Sequence, residues 1–292
     1  MKNISTKIIL TVLLMCHICC LATCDRNTDI EIDSANTEET IHTEIDLSLI
    51  NQLREDYNLG TCTTLRGNVS VILFYLDDFE SAWTEEEINC FTKNEIEPGL
   101  LFLEQEAKKY GIELDLTIEK SYSSIYYDDE VITSIKKTGL ASIDVLKQAA
   151  LQTGYSSSAN MIEEFRSNYK TEEIVCFTIF NKNGTAYAIN PKRDSDIKID
   201  EHCIVFARDL NSAKNGPEGS QASVIAHEML HLYGAEDFYS SSSRRKLANI
   251  HYPKDIMLSQ SYDIDTNTID DATAFYIGWT DIVPDVLNKK GW

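Results

Sequence analysis

The stretch HEMLHLYGAED, residues 227–237, decides how the rest of the chain is read. It sets His227 and His231 four residues apart, with Glu228 between them, Gly234 three residues on and Asp237 three further. On an α-helix, positions i and i+4 stack on one face, so both imidazoles can reach one ion. Glu228 lies about 100° round the same helix, beside that ion. A general base is needed there to take a proton from a water that the metal activates. The preceding run SQASVIA extends the helix backwards, giving a predicted element over 220–233. Ala222, Ile225, Ala226, Met229, Leu232 and Tyr233 cover its other face, which predicts a helix buried under a sheet. Ser220 suits an N-cap, and Gly234 suits the left-handed residue that ends a helix.

A catalytic zinc takes three protein ligands and keeps one position open. Asp237 is the natural third ligand, and Glu236 is its rival, because a tight turn after Gly234 could present either. A glutamate from a later helix is not available, since none follows Glu236. His251, the last histidine, enters only if Asp237 does not.

The pattern HExxHxxGxxD resembles the zinc signature of the metzincin metalloproteases, in the variant where aspartate replaces the third histidine, as in snapalysin-like enzymes. Such enzymes also carry a methionine in a turn beneath the zinc, and DIMLS, residues 255–259, would supply it as Met257. The motif-level resemblance spans about residues 220–260, and layout alone extends it further. It implies an α/β (α+β) metzincin-like zincin: a mixed twisted sheet with an antiparallel edge strand, a backing helix and an active-site helix. The N-terminal subdomain would cover 45–234 and a small C-terminal subdomain 235–292. It also implies Zn2+ on His227, His231 and Asp237, Glu228 as general base, and hydrolysis of peptide bonds. Tyr262, five residues past Met257, is a candidate hydrogen-bond donor to the transition state, with core packing or simple exposure as the plainer readings.

The remaining chain fits that layout. NVSVILFYL, 68–76, predicts a central strand. Thr84 predicts a cap for a helix opening on Glu85, Glu86 and Glu87, interrupted near Pro98 and Gly99. IELDLTIEKSY, 112–122, alternates as a strand does, and 141–169 holds two helical patterns split at Gly154. EEIVCFTIFNKNGTAYAIN, 172–190, predicts a hairpin turning at Asn183-Gly184. Its second arm, 185–189, would be the edge strand on which an extended protein or peptide substrate adds. HCIVFARD, 202–209, is the next strand, and DATAFYIGW, 271–279, a closing helix ending near Gly278. Arg244, Arg245 and Lys246 predict a basic exposed loop. The acidic runs from Asp194 and Asp263 lack the glycine and final acid of an EF-hand loop. Residues 45–60 show helical spacing with a closing glycine.

A net charge of −21 argues against nucleic acid and anionic membrane surfaces as partners. Lys2, Lys7 and the apolar run 8–22 read as a signal peptide over 1–23, and LATC, 21–24, resembles a lipobox with Cys24 as the lipidated residue. Thr23 fits that motif poorly, so a plainly secreted protein is the alternative. Residues 24–44 read as a flexible acidic linker. On either reading the protein is exported, it touches a membrane only through a lipid anchor, and a monomer is expected. Cys62, Cys90, Cys176 and Cys203 permit two disulfides, although Cys176 and Cys203, in apolar strand-like runs, could equally be buried thiols. The function of a different class is a surface lipoprotein that binds a ligand and uses zinc structurally.

Overall fold

Eight consecutive apolar or small residues from Val69 to Leu76 are buried, and this run forms the strand β1, Gly67–Asp77. The computed structural model describes residues 60–127, 145–190, 201–209 and 222–292. The signal peptide, Cys24, the acidic linker, the helix expected over 45–59, Ser220 and the acidic run from Asp194 lie outside the described residues. Four more strands complete the sheet: β2 Leu114–Tyr126, β3 Glu173–Gly184, β4 Tyr187–Ile189 and β5 His202–Asp209. Their order is β2-β1-β3-β5-β4; all neighbours are parallel except β4, which runs antiparallel to β5 at the edge.

The inner strands alternate between two buried faces, as strands covered on both sides must. Val71, Leu73 and Tyr75 of β1, Val175 and Phe177 of β3, and Cys203 and Val205 of β5 face one core. Ile72 and Phe74, Cys176 and Phe180, and Ile204 and Phe206 face the other. The second core is closed by α3, Val145–Gln152, and α4, Ser158–Tyr169. The first core is closed by α1 (Glu85–Phe91), α2 (Glu97–Lys109) and α5 (Ala222–Leu232). The chain is thus mixed α/β with a mostly parallel sheet and one antiparallel edge pair.

Two local expectations are corrected. The arms around Asn183-Gly184 do not pair as a hairpin, because β5 lies between β3 and β4. Gly184 ends β3 for a different reason: a Cβ there would come within 2.3 Å of the Phe206 ring. The glycine answers close packing rather than a turn. The second correction concerns the first helical stretch. Its irregularity is a π-helical segment, Thr92–Ile96, and Pro98 sits in the first turn of α2 without breaking it. Thr84 does cap α1, in a reciprocal pair with Glu87.

The four cysteines of the described residues are free thiols, with Cys90 exposed and the others buried. No described helix is long and apolar enough to cross a membrane.

Candidate metal centre

Helix α5 is buried nearly throughout, His227 and Glu228 included. Its start is fixed from the π-helical segment, where Glu95 accepts a hydrogen bond from the backbone N–H of Ala222. Burial pushes the Glu95 carboxyl up to about 7 against that bond. Gly99 permits the close approach, since a Cβ there would sit 2.8 Å from the Ala222 carbonyl oxygen. At its other end the helix stops on Gly234, at φ 96°, with Gly234 N–H donating to His231 O and Ala235 N–H to Leu230 O.

The turn brings Asp237 back over the helix. His227 Nε2, His231 Nε2 and Asp237 Oδ1 form a nearly equilateral triangle with edges of 3.1, 3.2 and 3.3 Å. Tetrahedral ligands about 2.0–2.1 Å from a metal are about 3.3 Å apart, so the triangle matches one face of such a site. Both imidazoles are held by their other nitrogen: His227 Nδ1 lies 3.0 Å from Ile256 O, and His231 Nδ1 2.7 Å from Ala235 O. Donation to those carbonyls leaves each Nε2 with a lone pair aimed at the common point. Asp237 Oδ1 is buried and accepts no hydrogen bond. Two lone pairs and an anionic oxygen cannot satisfy one another; they fit a cation. These three residues form the one metal-capable His/Cys/Asp/Glu group among the described residues.

The charges agree. Burial pulls the His231 imidazolium down, but Asp237 and Glu228 outweigh it and raise His231 to about 9. Asp237 is likewise destabilised by burial, yet the two histidines hold its carboxyl far below the usual carboxylate range. Glu236, the rival ligand, instead pairs with Arg244. His251 lies at the far end of α6, Ser242–His251, next to Lys289 Nζ at 2.7 Å.

Met257 is fully buried in the turn 255–258 beneath the site. This turn reaches two of the three candidate ligands. Ile256 supplies the carbonyl facing His227, and Met257 O accepts from Phe238 N–H at 2.9 Å, next to Asp237. The turn is itself held by Asp255, whose buried carboxylate accepts from Met257 N–H and Asp270 N–H, both at 2.8 Å, and from Thr273 Oγ1 at 2.9 Å. Thr273 belongs to α7, Asp271–Tyr276, the expected closing helix. Gln260 adds its amide nitrogen 2.9 Å from His227 Nδ1 and 3.0 Å from Ile256 O.

Tyr262 is 61% exposed and makes no part of the cluster. A different tyrosine does. Tyr239 Oη lies 3.5 Å from His227 Nε2, and its ring stacks nearly parallel to that imidazole. Burial, then the charge of Asp237, pushes its phenol well above the ordinary range. Sequence reasoning missed Tyr239, although its place two residues after Asp237 was the available signal. An edge strand is present within the expected 185–189 as β4, and Asn190 just after it donates Nδ2–H to His231 O at 2.6 Å. Arg244, Arg245 and Lys246 lie in α6, capped by Ser241, and not in a loop.

No family model matches this chain, and neither does any curated protein sequence.

Proposed function

We propose that the protein is an exported zinc-dependent endopeptidase, with Zn2+ held by His227, His231 and Asp237. The observation that carries this reading is the orphaned triangle of ligand atoms with Glu228 one residue from His227 on the same helix. A bound zinc ion would lower the pKa of water and polarise a carbonyl. Glu228 takes the proton of the attacking water and delivers it to the leaving amide nitrogen. Its burial keeps that carboxylate out of bulk solvent. Tyr239 stands at the rim of the site, where its hydroxyl can donate to the oxygen that gains charge at the scissile carbonyl. β4 is the outermost strand among the described residues, an edge on which an extended peptide can pair, and Asn190 ties its end to the His231 turn. Met257 supports the site from below without touching substrate.

The donor set of two imidazoles and one carboxylate also suits ferrous iron. The adjacent Glu228 favours hydrolysis, since a general base is what attack by water requires. Chelator treatment followed by metal readdition tests the reading. Cleavage of an unfolded protein substrate should vanish and return with zinc, leaving new amino termini; products that lack them, or restoration by iron alone, would refute it.

A further inference from the structure

The rim of the site carries a cation that no described residue neutralises. Arg244 and Arg245 are neighbours on α6 with different surroundings. Arg244 pairs with Glu236 and lies over the Trp292 ring. Arg245 is exposed, sits 5.7 Å over the Tyr239 ring, and forms no ion pair among the described residues. The contrast is notable in a chain with 47 acidic and 26 basic residues, where carboxylates are plentiful. Stacking on a tyrosine holds a guanidinium by its face and leaves its N–H fork free in the plane. Such a fork matches a carboxylate with two parallel hydrogen bonds.

Tyr239 connects this cation to the candidate ligands. Its ring centroid lies 6.3 Å from that of His227, and its hydroxyl reaches the ligand nitrogen. The Arg245 guanidinium is therefore within three or four residues of the metal-facing atoms along an extended peptide, at about 3.3 Å per residue. The remaining field of the protein is anionic and repels an acidic substrate, so discrimination has to come from a local positive group.

We infer that Arg245 is a specificity-determining residue, selecting peptides that carry a carboxylate, as an aspartate or glutamate side chain, a few residues from the scissile bond. This rests on the zinc reading above and names the substrate class for that site.

Peptide hydroxamates test it without requiring turnover, because the hydroxamate end chelates zinc and fixes the register. Compounds with Glu, Gln or Lys one, two or three residues from the hydroxamate are titrated by calorimetry into zinc-loaded wild type, Arg245→Gln and Arg245→Glu. Wild type should bind the Glu compound roughly three- to tenfold more tightly than the Gln compound at one of these positions, the range open to an exposed, well-aligned ion pair. Arg245→Gln should remove the preference, and Arg245→Glu should turn it towards Lys. Hydroxamates that bind equally well whatever their charge, or a preference unchanged in Arg245→Glu, would overturn the inference while leaving the zinc reading intact. Failure of every hydroxamate to bind zinc-loaded wild type would instead overturn the zinc reading, and the inference with it.

Discussion

Asp237, partly exposed, and Asp255, fully buried, both bear on the histidines of α5, yet they are built for different tasks. Every contact of Asp255 is a donor: two backbone N–H groups and the Thr273 hydroxyl close over its two oxygens. Asp237 keeps Oδ1 without a hydrogen bond and turns it towards two imidazole nitrogens. Their ionisation follows. Burial and the neighbouring Asp270 push Asp255 up to about 8 against its donors, whereas the histidines hold Asp237 far down. A carboxyl group saturated by donors fixes backbone. One left facing lone pairs awaits a cation.

The largest effects are expected at the triangle. His231→Ala or Asp237→Ala should abolish stoichiometric zinc binding and all cleavage while leaving the circular dichroism of the fold in place. A zinc-replete Asp237→Ala protein would remove Asp237 from the ligand set. The next effect belongs to Asp255→Asn, which sets an amide N–H against a backbone donor and should cost about 2–3 kcal/mol of stability. Because Asp255 holds the turn that orients His227, zinc affinity should also fall by about 10- to 100-fold where the variant is still folded. A variant that loses stability yet keeps wild-type zinc affinity would confine Asp255 to folding.

A milder effect comes from Glu201, which stands just before β5 and accepts from Cys62 N–H at 2.9 Å. Burial pushes its carboxyl up to about 8, so the native state keeps a proton that the unfolded chain releases near its ordinary value of 4.5. That contribution to stability is complete below about pH 4.5 and is lost as the pH rises through about 8, with a slope of at most about 1.4 kcal/mol per unit. Glu201→Gln should flatten the dependence in denaturant titrations between pH 5 and 8; an unchanged slope would assign it elsewhere. The smallest effect is expected of Glu236→Gln. It removes a partner of Arg244 and no ligand, so zinc content should stay stoichiometric, and a fall in zinc would reopen Glu236 as a ligand.

The cluster of His227, His231 and Asp237 was legible because it obeys short-range rules. Helical spacing puts His227 and His231 on one face, and Gly234 allows the reversal that presents Asp237. The choice between Asp237 and Glu236 was not legible, since it turns on Arg244, eight residues further on, claiming Glu236. The strands were readable as apolar runs, but their order was not. Asn183-Gly184 has the composition of a hairpin turn, whereas Gly184 serves the Phe206 ring from a strand more than twenty residues away. Asp255 was missed for the same reason, because it acquires its place only through Asp270 and Thr273. The π-helical segment left no mark beyond a proline that turned out to be harmless.

Zinc content and cleavage of a mixed protein substrate, measured side by side for wild type and Glu228→Ala, test the central claim most directly. One zinc per chain is expected in both proteins, with cleavage by the variant slower than wild type by at least about 100-fold. Equal cleavage by the two would contradict the role of Glu228, and absence of zinc from both would contradict the metal centre itself.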